Sequence, residues 1–332
     1  MYIYNYTKMN EPIHAQCIRI INKLQLVWQY PVITELTVRN QQHNNPTYIG
    51  LPWATIIDKQ IDINQVYSII CRYIRIQPTI QKYSTCCQHV SYKQLIPLFV
   101  RLGITHLYIS HKIIGLDVLN NIRLYALPLY AVNIEDDERN ILYKTLTSYT
   151  AETTHSTLLQ KKREYIYCFM GAYNHRWYLS TIRNKIFTMK HPSNTFIKNT
   201  EEWHFENIVY GKQVGKWNFD TTKEQKNKIK LDIYNTILSK SRYSLCPSGT
   251  GPNSIRFWES LAFGSIPILL ADTLELPEHP LWDQAIIRLN ENKVDTIPTI
   301  VSLITKEKEE HMRKKCLQIY DDFKDTFIPT IK

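Results

Sequence analysis

The clearest alternation of apolar and polar text lies in the second half of the chain. Tyr243 to Cys246 is apolar and β-prone, and Ile266 to Leu270 repeats that texture. Short apolar runs bounded by turn residues predict buried strands. Between them Pro247-Ser248-Gly249-Thr250-Gly251-Pro252 is turn chemistry, in which proline fixes φ and glycine permits positive φ. Phe257, Leu261 and Ala262 then recur at the spacing of one buried helical face. Asn253 or Ser254 supplies the N-cap, and Gly264 suits the left-handed residue that closes a helix. The predicted unit is strand, glycine-rich loop, helix, strand.

The same reading covers the rest of the chain. Cys17 to Trp28 predicts an amphipathic helix, Pro31 to Val38 a strand, Thr47 to Leu51 a core strand, and Asn64 to Tyr73 a helix. Leu95, Leu98, Phe99 and Leu102 share one side of a predicted helix over 92–102, and Thr105 to His111 predicts a strand. Ile122 to Ala131 predicts a strand broken at Pro128, after which Glu135 to Glu138 is expected to cap a helix running to about Tyr149. Polar residues 151–162 are taken as a link whose closing Lys161-Lys162-Arg163 is solvated. Glu164 to Gly171 then predicts a strand, and 176–189, 228–240, 297–304 and 307–323 predict helices, with a short strand inside 281–288. This gives two α/β domains, residues 1–150 and 163–332.

Composition sharpens the picture. At 332 residues, each of two domains has enough chain for its own core, and 44% hydrophobic against 21% charged residues excludes a disordered chain. There are 9 glycines in all, so those of the central loop carry weight. The formal charge of +10 comes without zinc-finger spacing or a basic stripe interleaved with aromatics, which argues against nucleic acid. It suits an anionic nucleotide donor, the preferred partner, or peripheral contact with an anionic membrane surface. The 7 cysteines show no CxxC and read as free thiols in a reducing compartment. No long apolar run is present, so the chain is expected to be a soluble cytoplasmic enzyme of a bacterium or a virus-infected cell.

The candidate chemistry sits on the central helix. A helix N-terminus attracts phosphate, and Arg256 in its first turn can grip a diphosphate with a planar fork. Glu259, three residues on and therefore on the same face, can accept two ribose hydroxyls. Pro247, Ser248, Gly249, Thr250, Gly251, Asn253 and Ser254 complete the candidate donor site. The plain alternative is an ordinary βαβ unit with an Arg–Glu surface pair; the convergence of loop, Arg256 and Glu259 favours the nucleotide. No metal is expected: His191, His204 and Glu206 do not have metal-ligand spacing, and there is no convincing Asp-x-Asp.

This stretch resembles the nucleotide-sugar motif of exostosin-type glycosyltransferases. The residues that carry the resemblance are Arg242, Leu245-Cys246, Pro247-Ser-Gly249, Arg256, Glu259, Gly264-Ser-Ile-Pro267-Ile, Asp272 and Leu276-Pro277, matched without insertion. It extends to the strand ending at Gly171 and to Arg176 and Arg183 on the following helix, of which Arg183 is weighted toward the site. It extends more weakly to 90–113, where His106 and His111 match two family histidines and Lys112 replaces the family's Asp. The resemblance implies a GT-B fold, two Rossmann-like domains facing a cleft. It also implies inverting transfer of a sugar from a UDP-sugar to a glycan hydroxyl, with Arg256 stabilising the leaving diphosphate and no metal or other cofactor required. The family's animal and plant members are membrane-anchored in the Golgi, from which this chain is expected to depart. His106 reads as a core histidine. His111 is the best candidate for the general base, followed by Glu35, Asp58 and His89. Two other readings stay open. One is a dinucleotide oxidoreductase, against which Ser254 stands where a third glycine belongs. The other is a non-catalytic glycan- or nucleic-acid-binding protein on a decayed transferase fold.

Overall fold

Two sheets organise the chain. In this computed structural model, which describes residues 11–76, 82–136, 138–140, 151–202, 206–215, 221–324 and 326, they belong to two separate units. The first comprises the described residues up to Pro128 with Glu275–Pro277; the second runs Leu129–Leu274 and Glu278–Thr326.

The first unit opens with four helices, α1 (Ile13–Lys23), α2 (Thr34–Gln41), α3 (Trp53–Asp58) and α4 (Ile63–Tyr73). Strand β1 (Tyr83–Cys87) follows, then α5 (Ile96–Arg101), β2 (Ile104–Ile109), β3 (Val118–Leu119) and β4 (Ile122–Ala126). The sheet order is β1-β2-β4-β3, parallel except for the short antiparallel β3. Cys17 and Ile20 of α1, Val66 and Ile70 of α4 and Phe99 of α5 pack one core against β2. Trp53 meets Phe99 edge-on at 4.9 Å, and its indole N–H donates to Thr85 Oγ1 at 2.7 Å.

Several expectations change here. Helix α1 stops at Lys23 because Gln25 takes a left-handed backbone, φ 50°. Residues 34–41 are helical, not a strand: Thr34, Glu35, Val38 and Arg39 are buried at the i, i+1, i+4, i+5 spacing of one helical face. Residues 47–51 touch the sheet through a single parallel bridge from Tyr48 to Ser84 rather than as a full strand. Strand β1 was not legible at all, since Tyr-Ser-Thr-Cys-Cys looks half polar, yet all five residues are buried. A parallel strand is covered on both faces, so alternation vanishes.

The second unit contains α6 (Val132–Glu135), α7 (Ala151–Gln160), β5 (Tyr165–Gly171), α8 (Ile182–Thr188) and β6 (Phe196–Asn199). A π-helical stretch at 206–213 precedes α9 (Thr221–Lys240), β7 (Ser241–Pro247), α10 (Ile255–Ala262) and β8 (Ile266–Leu270). Helix α11 (Trp282–Ala285), β9 (Ile287–Arg288), α12 (Ile297–Ser302) and α13 (Lys306–Lys324) close it. The sheet is wholly parallel in the order β6-β5-β7-β8-β9. Phe257 and Trp258 of α10 pack with Trp282 of α11 and Phe323 of α13 at centroid distances of 5.2–6.0 Å, which fixes α10 against the helical layer. Each unit is α/β with a largely parallel sheet, which fits the GT-B-like class of fold expected from the sequence.

Glu135 ends a helix where it was expected to begin one, and the rest of that expected helix, 141–150, lies outside the described residues. Residues 151–160, read as a polar link, are helical, with Leu158 buried. Arg163 is not solvated. Its Nη1 donates to Ser239 O at 2.6 Å and its Nη2 to Leu158 O at 3.0 Å and Phe263 O at 2.8 Å, so one guanidinium ties the ends of α7, α9 and α10 together.

Candidate functional site

The central unit forms as the sequence predicts: β7, the loop, α10, β8. Ser254 is the N-cap residue in extended conformation, φ −133° and ψ 134°, and makes no side-chain cap bond. From Arg256 to Ala262 every residue of α10 is buried. Gly264 closes the helix at φ +60°, where a side chain would be strained.

The two arginines of the candidate site come together over β5. Arg183 donates through Nε to Ser248 O at 2.8 Å and through Nη1 to Ala172 O at 3.0 Å, and its guanidinium lies 4.6 Å from the Tyr178 ring centre. Arg256 donates through Nη2 to Met170 O and lies 4.6 Å from the Phe169 ring centre. Gly171 sits between them: a Cβ there would approach Arg183 Nη1 and Arg256 Nη2 to 3.4 Å each. Burial pushes the Arg183 pKa down to about 10, and Arg256 acts in the same direction as a like charge.

Glu259, one turn along from Arg256, is wholly buried. The Tyr234 hydroxyl donates to its Oε2 at 2.5 Å. Its Oε1 makes no hydrogen bond of ordinary geometry among the described residues, although the Asn133 amide is near enough to favour the charged form. Burial raises the carboxyl pKa above the usual range, against the pull of Tyr234, Arg256, Arg139 and Asn133. Arg183, Gly171, Ser254, Arg256, Glu259 and Tyr234 line one pocket that is partly open to solvent.

The loop itself plays another part. Pro247, Ser248, Gly249, Thr250 and Gly251 are not in the pocket wall. The Ser248 N–H is spent on Leu270 O and the Gly249 N–H on Gly251 O, at 2.9 Å each, so these two do not offer a phosphate cradle. Ser248 Oγ donates to Glu291 Oε1 at 2.8 Å. Gly249 leaves room for Arg183, whose Nη2 would stand 3.1 Å from a Cβ there. Asn253 accepts the Trp258 indole N–H at 3.0 Å. The loop therefore buttresses Arg183 and the start of α10.

Other motif residues are structural. Arg242 pairs with Glu309, which also holds Arg313. Asp272 accepts the Glu291 N–H at 2.9 Å. Lys112 is buried and held by Asp117 at 2.8 Å and by Glu275. His106 stacks on Tyr125 at 5.7 Å. His191 bonds Tyr167 Oη at 3.0 Å and Ile186 O at 2.7 Å; His204 and the Glu206 side chain lie outside the described residues. Among the described residues no group of three or more His, Cys, Asp or Glu is placed to hold a metal ion. His111 follows β2 in the first unit, and its pKa is pushed down to about 3 by desolvation, with His89 adding to the effect. Tyr234 and Asn133 were not foreseen. They come from elements far away in sequence, and no local pattern marks them.

Comparison with known proteins gives these features a context. The Exostosin GT47 domain profile matches residues 139–304, half of the chain. Exostosin-1 of Drosophila melanogaster is 25% identical over 173 residues, covering 52% of this chain and 22% of that protein. The Exostosin-1 homolog of Caenorhabditis elegans is 28% identical over 92 residues, 27% of this chain and 24% of the relative. A rice protein named probable glucuronosyltransferase GUT1 is 29% identical over 97 residues, 29% of this chain and 23% of the relative. The chain thus spans about a quarter or less of the length of the curated relatives it matches. These relatives come from an insect, a nematode and a plant, and they overturn the expectation of a cytoplasmic bacterial or viral enzyme. That expectation rested on a missing apolar run, which a chain so much shorter than its relatives cannot support. Among the described residues no helix is long and apolar enough to cross a membrane.

Proposed function

This chain belongs to the exostosin GT47 family of glycosyltransferases, and from that premise we propose that it moves a sugar from a UDP-sugar to a glycan hydroxyl with inversion at the sugar carbon. The observation that carries the donor site is the pairing of buried Arg183 and Arg256 with one wholly buried carboxylate, Glu259, whose Oε1 has no hydrogen bond of ordinary geometry. Two guanidinium groups against one carboxylate leave an excess of positive charge in a pocket wall. A diphosphate offsets that excess, and charge-assisted bonds to it are the strong kind. Glu259 then takes ribose hydroxyls, the donors its Oε1 lacks. The positive N-terminal end of the α10 dipole adds to the attraction.

In the reaction, the acceptor oxygen attacks the sugar carbon as the bond to the diphosphate breaks. The electron pair leaves on the diphosphate oxygen, where Arg256 and Arg183 meet the growing charge. These two fixed cations support a reaction without a required divalent ion. The test is release of free UDP from a panel of UDP-sugars, with and without added oligosaccharide. We expect turnover to persist in excess EDTA and not to rise by more than about twofold with Mn²⁺ or Mg²⁺. Abolition by EDTA and restoration by Mn²⁺ would remove metal independence from the mechanism. Tight UDP binding without any UDP release would favour a non-catalytic binding protein.

A further inference from the structure

One cation of the first unit is buried without a counter-charge. Arg39, in the last turn of α2, is 8% exposed. Its stem runs over Gly50, where a Cβ would stand 2.8 Å from Arg39 Cγ, and its guanidinium lies 5.7 Å from the Trp28 ring centre. Its Nε is buried with no hydrogen bond, and its Nη1 reaches Asn40 Oδ1 only at 3.5 Å, the outer limit of a hydrogen bond. Buried charges are ordinarily paired, because desolvating them is costly.

The acids around it are used elsewhere. Glu35, one turn earlier on α2, accepts the backbone N–H groups of Ala54 at 3.2 Å and Gln88 at 3.1 Å. Desolvation pushes Glu35 up to about 8, so near neutrality it is mostly protonated. Glu11, ahead of α1, is paired with Arg19 at 3.0 Å. Cys17 and Tyr48 act on the guanidinium, but burial keeps both neutral, with Cys17 pushed up to about 12. The carbonyl end of α2 supplies only a fraction of a negative charge.

Two imidazoles join this cation. His14 of α1 and His43 beyond α2 meet edge-on with ring centres 6.5 Å apart. Desolvation lowers the His14 pKa, and the positive charges of Arg39 and His43 lower it further, so the three groups share one field. His43 Nδ1 donates to Asn40 O at 2.9 Å, which fixes the ring and leaves Nε2 for a ligand. We propose that Arg39, His14 and His43 form an oxyanion site of the first unit, which takes a sulfate, a phosphate or the carboxylate of a sugar acid. A planar guanidinium offers paired N–H groups to two oxygens of such an ion, and each protonated imidazole adds a donor. The site uses no residue of the donor pocket and stands whether or not the transferase reading does.

The test uses the full chain at constant ionic strength balanced with chloride, and reads the ring NMR signals of His14 and His43. Sulfate, phosphate and glucuronate are the probes, with glucose as the neutral control. Sulfate should move both signals with a Kd of about 1–10 mM, the scale of two charge-assisted bonds. Bound anion favours the charged imidazole, so it should raise the His14 pKa by about 0.5 or more. By linkage, sulfate should bind about threefold tighter at about pH 6 than at about pH 8, and His14→Gln should flatten that dependence. Arg39→Met keeps the stem against Gly50 and Trp28 and removes the charge. It should weaken sulfate binding by about tenfold or more, while its Tm without sulfate stays level or rises, because an unpaired buried charge is gone. Glucuronate binding at least as tightly as sulfate supports the site and assigns its oxyanion to a sugar acid; tighter sulfate or phosphate supports it as a site for the free ion. Signals that none of the three anions moves, or that move equally in folded Arg39→Met, overturn the site. So does a fall of several degrees in the Tm of Arg39→Met without sulfate, because Arg39 would then be a structural residue.

Discussion

Arg256→Ala should lower UDP release by about 100- to 1000-fold, the range seen when one preorganised donor to a developing negative charge is removed. The reason is local. Arg256 is buried, packed on Phe169, and held toward Met170 O, so its position is set before any donor arrives. Alanine leaves Arg183 alone beside Glu259, which removes the excess positive charge of the pocket. UDP binding should weaken as well, because the diphosphate carries its charge in the ground state too. Arg256→Lys keeps a charge but loses the fork, and should recover only part of the activity. Single-turnover and steady-state UDP release on folded protein check this. Turnover within tenfold of wild type in Arg256→Ala would place the leaving-group charge elsewhere.

Arg163→Met should lower stability by about 2–4 kcal/mol. The substitution takes the hydrogen-bond donor from the carbonyls of Ser239, Leu158 and Phe263, where three elements end. Each buried carbonyl left unsatisfied costs about 1–3 kcal/mol, and the net is smaller because a desolvated guanidinium is removed at the same time. Desolvation is also why the Arg163 pKa falls to about 9. For a unit of this size, the loss corresponds to roughly 5–15 °C in Tm. Differential scanning calorimetry measures it. The folded fraction should bind UDP as the wild type does, since Arg163 is not in the pocket wall. An unchanged Tm would show that water takes over these carbonyls at little cost.

What the sequence displayed and what it hid follow from how far apart the partners lie. The β7–loop–α10–β8 unit is continuous in sequence, so its apolar runs, cap residue and closing glycine could be read directly. The convergence of Arg256 and Glu259 followed from helical spacing, and Arg183 from the motif resemblance. Tyr234 was invisible because it reaches Glu259 across 25 residues of chain, from the face of a helix with no apolar signal of its own. Arg163 looked like one of three solvated cations; its carbonyl partners are 5, 76 and 100 residues away. The loop was counted into the donor site because it converges with Arg256 and Glu259 on one helix start. Its glycines serve a different need, since Gly249 gives way to the Arg183 guanidinium. In the first unit, Glu35, Asp58 and His89 were named as candidates by residue type alone. Strand β1 and helix α2 show the remaining weakness: burial on both faces erases alternation, and a short β-prone run cannot announce that its neighbours will turn inward as a helix.

The central claim is that the pocket of the second unit holds a nucleoside diphosphate between Arg256 and Glu259. Titration calorimetry of UDP against the wild type, Arg256→Ala and Glu259→Gln tests it directly. Glutamine keeps the shape and one acceptor but loses the charge, so it should cost about tenfold in UDP affinity, in line with charge-assisted bonds being worth about 1.5–3 kcal/mol. Arg256→Ala should cost at least as much. Both variants folded and binding UDP as tightly as the wild type would contradict the claim and put the nucleotide elsewhere.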